Sequence, residues 1–376
     1  MKERLATPNS RYPAIDALRG VAILLVVFHH LALRIPLRKT AAAQVAPRWL
    51  LDALSYNGNE AVMIFFVASG FLIALHVLER SGRMAAVDFR DFYARRFARI
   101  APCLILLLAV LSLLHLLGVE DYVIDSSRQS LPRALVSALG LHLNWYEGQT
   151  GYLPGGWDVL WSLSIEEVFY LGFPLLCRVT QRGFVLVGVL APLAISLPFS
   201  HRALEGNKIW QEKAYLPGMG AIATGVLAAM LFHRMGPLKR PWLAGVAGMA
   251  GILAVLTAEG LLWKGLKDGT LLVLTLSTAL FLLAACQLPA SKPATPGLLR
   301  SWGRLTYEVY LTHMFVVFAL VSLFRARGGD LKLGFLWYLP LLLLTWLLGA
   351  AISRFFSLPS ERWFRARLLK RGQATF

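Results

Sequence analysis

Cysteine is almost missing from this chain, with only three residues, Cys103, Cys177 and Cys286, among 376. Each lies in or at the end of an apolar run, the count is odd, and no pair has CxxC spacing, so neither a disulfide framework nor a cysteine metal site is expected. Acidic residues are scarce too, 21 against 38 lysines and arginines. Only 16% of residues are charged, where a soluble domain carries roughly 25%. No internal repeat, low-complexity segment or appended soluble domain breaks the pattern.

What the chain has in abundance is apolar length. With 57% apolar residues and a mean hydropathy of +0.59, its hydrophobic runs approach the roughly 20 residues that cross a hydrocarbon core. Run length and polar punctuation predict ten spans, near 15–35, 60–78, 98–118, 157–177, 183–199, 214–233, 242–258, 269–288, 303–323 and 335–355. The expected class is an all-α integral membrane protein, one transmembrane domain over residues 1–376. The net charge of +17 does not call for nucleic acid, because basic residues beside spans set orientation. With the N-terminus inside, the inner segments hold well over half of the lysines and arginines, so both termini are expected to be cytoplasmic. A cleaved signal peptide, imitated by "AAAQVA" after the first apolar run, is disfavoured: the run is long enough to span, and nine further spans need an anchor.

Polar residues inside these spans are costly and mark sites more often than chance. The first span, "LRGVAILLVVFHH", holds Arg19, His29 and His30. Eleven residues make three helical turns plus about 20°, so Arg19 and His30 share a face roughly 16 Å apart, and His29 points about 100° away. The stretch "WSLSIEEVFYLGFPLL" puts Glu166 and Glu167 in a span entered from outside. Counted from its edge, Glu166 lies about 13 Å in, level with His30, so the two are expected to meet. A carboxylate can orient an imidazole that acts as base on a hydroxyl; a polar clamp between helices is the structural alternative.

Two further spans bring polar groups to the middle: "FFVASGFLI" with Ser69 and Gly70, and "GRLTYEVYLTHMF" with Tyr307, Glu308, Tyr310 and His313. Singly each reads as packing; together, four helices with polar groups at comparable depth predict a lined cavity or tunnel. The inner segment "FRDFYARRFARIAP" carries Arg90, Arg95, Arg96 and Arg99. Arg96 and Arg99, three apart, share a helix face and can offer two planar forks to phosphates. A topogenic signal facing anionic lipid is the other reading.

In this order, the Arg-x10-His pattern, "FFVASGFLI", Arg95 to Pro102, "WSLSIEEVFY" and "GRLTYEVYLTH" resemble the membrane-bound acyltransferase-3 family over nearly the whole chain. The resemblance implies a bacterial enzyme of the cytoplasmic (inner) membrane. It would move an acyl group, most often acetyl from cytoplasmic acetyl-CoA or another acyl-CoA, to a hydroxyl of a cell-envelope carbohydrate or glycolipid, with no metal. It implies a catalytic set of His30, Glu166 and Arg19. It gives Arg96 and Arg99, with Arg95 beside them, to the donor; Ser69, Tyr307 and His313, from the polar spans above, are expected to line the substrate site or tunnel. Met63 stands where many members carry an acidic residue, and Thr306 where Ser is usual. From another class, a transporter or flippase for an envelope glycan would also bury His, Glu and Arg, but no inverted repeat or pair of broken helices is visible.

Overall fold

The computed structural model describes residues 12–288 and 297–370; the predicted cytoplasmic termini lie outside them. The described residues form helices and turns without a strand. Ten helices fall on the ten predicted spans: α1 (Pro13–Ala32), α2 (Gly58–Ser81), α3 (Phe89–Leu116), α4 (Trp161–Thr180), α5 (Gly183–Ile195), α6 (Tyr215–Arg234), α7 (Pro241–Leu266), α8 (Gly269–Ala285), α9 (Thr306–Ala326) and α10 (Tyr338–Ile352). An eleventh, α11 (Leu358–Lys370), follows through a π-helical segment. Local signals explain the boundaries. Pro13 starts α1 in a first-turn position where its missing N–H costs nothing. Asp88 caps α3 by accepting from the Asp91 amide at 3.1 Å, and α2 ends on Gly82 at φ +69°, a conformation that favours glycine.

Eight helical stretches among the described residues are long and apolar enough to cross a membrane, or nine if one bent pair counts as a single span. The expectation of ten differs at two places. Helix α5 has 13 residues, roughly 20 Å of rise against a core of about 30 Å, and the chain turns at Ser196 into a short helix, Leu197–Arg202, restarted by Pro198. At the other place, Gly260–Leu266 and α8 meet at 111°, and the bend passes through Lys267 at φ +48°.

Small residues draw the central helices together. A Cβ at Gly70 would lie 2.0 Å from the Ile222 carbonyl oxygen, and one at Gly225 2.0 Å from that of Val67, so α2 and α6 touch backbone to backbone, as membrane helices with small residues do. Around them α1, α4 and α9 complete a core in which Phe66, Phe71, Tyr170 and Phe173 are buried. One connection matters for function. Before α4 the chain does not run along the membrane edge but dips into the bundle: Trp157 is wholly buried, Gly155 lies against Met314 and Phe318 of α9, and Tyr310 of α9 donates to the Val159 carbonyl at 2.9 Å. Helix α4 therefore starts at the depth of Tyr310.

Candidate active site

A cavity of about 630 Å³ opens among α2, α3, α4, α9 and α11. Its wide end, where α2 hands over to α3, is lined by the exposed His76, Arg80 and Asp88, with Asp91, Arg95 and Arg365 beside them. Ser69, Arg96, Arg99 and Glu166 line its walls. Arg19, Ser162, Thr306, Tyr307 and Tyr310 line its deep end. The floor is latched: the Ser162 and Tyr310 hydroxyls are 2.6 Å apart, and Tyr310 is also tied to Val159.

The walls are built from half-buried ion pairs. Arg96 donates to Glu166 at 2.7 Å and to Glu167 at 3.1 Å, and its guanidinium lies 3.7 Å over the Tyr170 ring. Glu166 also accepts from Tyr170 at 2.9 Å and from Ser69. One turn on, Arg99 makes a two-pronged contact with Glu308 at 2.8 and 3.3 Å, reaches Ser357 at 3.2 Å and has Glu361 at 3.6 Å. The Glu308 side chain is 0% exposed. Both forks expected to face phosphates are thus filled by carboxylates, because α4, α9 and α11 each present an acid at the arginines' level. Arg95 instead binds Asp91 at 2.8 Å, an acid that also has Arg80 within 3.5 Å. Arg365 is paired with Glu361 at 2.6 Å, and its Nε is buried without a partner.

Beyond the floor sits a histidine pair. His313 Nε2 is 3.3 Å from His30 Nδ1, with the rings 4.8 Å apart and the Tyr310 ring 6.1 Å from that of His313. The partners fix the tautomers. His313 Nδ1 faces two carbonyls, Tyr310 at 2.8 Å and Val309 at 3.2 Å, so it carries the proton and Nε2 is bare. His30 Nδ1 faces the Val26 carbonyl at 2.8 Å and that bare Nε2, so it too carries the proton. His30 Nε2 is left with a free lone pair and no hydrogen-bond partner among the described residues. His29 turns away, to the Ser55 carbonyl at 2.9 Å and against Gly58.

The expected His30–Glu166 contact is absent. Glu166 is level with Arg96, and His30 with His313. From Arg96 to Arg99 is three residues and from Glu308 to His313 is five, so the carboxylate and the imidazole are offset by roughly 12 Å of helix rise. The reason is the dipping connection before α4: depth counted from the membrane edge put Glu166 too high. Of the remaining expected residues, Arg19, Ser69, Tyr307, Arg95, Arg96 and Arg99 all line the cavity, whereas His313 sits beyond its floor with His30. Gly70, next to Ser69, is the packing residue of that pair. Sequence reasoning missed Tyr170, Glu361, Arg365 and Arg34, which donates to the His30 carbonyl at 2.9 Å and lies 4.9 Å from the Phe318 ring. It also missed Lys213, which joins Glu147 at 2.9 Å to Asp158. Burial and the nearby Asp158 push the Glu147 carboxyl well above its usual range, against the pull of Lys213.

The model of the acyltransferase domain family matches residues 12–354. O-acetyltransferase OatA of Staphylococcus aureus (strain NCTC 8325 / PS 47) is 24% identical over 392 residues, covering 96% of this chain and 58% of the relative. A protein of S. aureus (strain COL), provisionally named an O-acetyltransferase, is 25% identical over 348 residues, covering 84% of this chain and 52% of the relative. The chain spans about half the length of the curated relatives it matches. No solved structure matches it. With the family's pattern running from before α1 into the segment after α10, this chain belongs to the acyltransferase-3 family.

Proposed function

We propose that the protein is an O-acyltransferase of the bacterial cytoplasmic membrane that moves an acyl group, acetyl first of all, from cytoplasmic acyl-CoA to a hydroxyl of a cell-envelope carbohydrate or glycolipid. The observation that carries the reading is the free Nε2 lone pair of His30, held by two tautomer-fixing contacts beyond a polar cavity. An acceptor hydroxyl gives its proton to that nitrogen as its oxygen attacks the thioester carbonyl. The tetrahedral intermediate expels the CoA thiolate, and the imidazolium returns the proton to sulfur. His313 holds the ring and its tautomer, as the orienting partner of a base does.

On this reading the cavity receives the donor from the α2–α3 end, taken as cytoplasmic. Its mouth arginines, Arg95 with Arg80 and Arg365, meet the phosphates; their place on the cavity lining supports that placement. Arg96 and Arg99 set the walls through their carboxylates, Glu166 among them, and Arg19 meets the donor near the floor. Ser69 and Tyr307 line the passage. The test is purified, reconstituted protein with labelled acetyl-CoA. The wild type releases label from the thioester onto water or an added glycan, and His30→Ala does not. Label release that is equal in the two proteins overturns the assignment of the base, and none from the wild type overturns the donor.

A further inference from the structure

A second, smaller cavity of about 150 Å³ lies away from the first, where α2 ends, α4 turns into α5, and α6 ends. Arg83, Arg182, His233 and Arg234 line it, over Leu78, Met84, Leu186 and Met230. Its electrostatics differ from those of the larger cavity. There each arginine shares an acid; here no ion pair with a carboxylate is found for Arg83, Arg182 or Arg234 among the described residues, and no acidic residue lines the space. Three exposed arginines lining one concave site without a counter-ion concentrate positive charge there, and an anion entering the site offsets it. Gly183 lets Arg234 close over the start of α5: a Cβ there would lie 2.5 Å from an Arg234 terminal nitrogen.

The place says what carries the anion. Three apolar helices end at this level, where lipid headgroups sit. Residues next in sequence to its lining are exposed and apolar, with Val179 at 71%, Phe184 at 64% and Leu231 at 48%. A free inorganic ion has no use for such a flank; the acyl chains of a phospholipid do. We propose that Arg83, Arg182 and Arg234 form a binding site for the phosphate of an anionic membrane lipid whose chains run along α4, α5 and α6. The site is separate from the acyl-transfer cavity and does not depend on the reading of that cavity.

The experiment is native mass spectrometry and thermal unfolding of the whole chain in detergent, with phosphatidylglycerol, phosphatidylethanolamine or inorganic phosphate added. Phosphatidylglycerol stays bound and raises the melting temperature of the wild type, and phosphatidylethanolamine does so much less. Each Arg→Gln change at 83, 182 or 234 weakens retention roughly fivefold, as expected for about 1 kcal/mol per basic group near an anionic surface. The triple variant loses the shift. A charge-matched triple variant, Arg90→Gln, Arg362→Gln and Arg367→Gln, keeps it, which separates this cleft from general basicity. Equal losses in the two triple variants, or equal retention of the two lipids by the wild type, overturn the site. Protection by inorganic phosphate as strong as that by phosphatidylglycerol overturns the lipid as carrier.

Discussion

Arg99 was expected to be a phosphate ligand, and the geometry makes it half of a buried ion pair; the two roles give opposite results in a double-mutant cycle with Glu308. Replacing Arg99 by Met leaves the Glu308 carboxylate, 0% exposed, with the Ser357 hydroxyl at 2.6 Å as its remaining hydrogen bond. Breaking a buried pair in this way costs about 3–5 kcal/mol. Replacing Glu308 by Gln costs less, about 1–3 kcal/mol, because Arg99 is 28% exposed and keeps Glu361 at 3.6 Å. If the pair is the interaction, removing both charges leaves little further to lose, so the double variant should be more stable than the sum of the singles by about 2–3 kcal/mol, the upper part of the range for residues in contact. Denaturant unfolding of the detergent-solubilised protein, followed by its tryptophan fluorescence, measures all four corners. Additivity within about 0.5 kcal/mol would refute the pairing. So would an Arg99→Met protein that is as stable as wild type but has lost its affinity for CoA, since that is the behaviour of a ligand contact.

The histidines give a sharper contrast: His30→Ala should abolish acyl transfer, while His29→Phe, at matched protein levels, should retain most of it, because its imidazole only caps the Ser55 carbonyl. Equal loss in both, read as acylated product per molecule of enzyme, removes the single-base assignment. Glu166→Gln should raise the half-saturating donor concentration several-fold and leave the pH profile of turnover unmoved, since Glu166 holds the wall and does not touch His30; a displaced profile would restore the carboxylate to the imidazole. Tyr310→Phe unlatches the cavity floor and should raise the ratio of free acetate to acylated acceptor, both counted from labelled acetyl-CoA. Finally, sealed inverted membrane vesicles should take label from external acetyl-CoA, which cannot cross, and carry the product inside; right-side-out vesicles should stay unlabelled. Product found only in the bulk medium would confine the reaction to one face.

Which parts were legible in the sequence follows from which interactions are local. Helix existence and order depend on runs of about 20 apolar residues, and each of the ten runs is a helix. The shared face of Arg19 and His30 is a property of one helix, as is the divergence of His29 from His30, and both needed only the helical repeat. Depth is another matter. It depends on where a connection leaves the membrane edge, and the segment before α4 carries Gly155, Gly156 and Trp157 into the bundle with no signal that composition records. Pairing between helices is equally non-local. The fork spacing of Arg96 and Arg99 was read correctly, but a carboxylate matches that spacing as well as a phosphate does, and Glu167, Glu308 and Glu361 come from three segments that sequence order does not bring together. A signal was present in one case. Glu308 lies in an apolar span, and a buried acid needs a partner.

The corrected depths change what the protein must do to join its two halves. With Glu166 beside His30, the donor would meet the base directly. With Glu166 about 12 Å of helix rise below it, the cavity proposed for the donor ends at Tyr310, and the proposed base lies on the far side of that ring. The latch consists of two hydrogen bonds at one hydroxyl, which donates to the Val159 carbonyl and accepts from Ser162. At about 0.5–1.5 kcal/mol net for each, it opens at a cost of about 1–3 kcal/mol, small against the barrier of any acyl transfer. On the proposed reading, a closed floor at rest would keep water on the His30 side from reaching the thioester, and a floor held by so little would yield to a bound donor that fills the cavity beneath it. On that reading the weakness of the latch would let a single side chain serve as both seal and passage, so the loss of one hydroxyl at Tyr310 should change the partition between hydrolysis and transfer more than it changes the binding of either substrate.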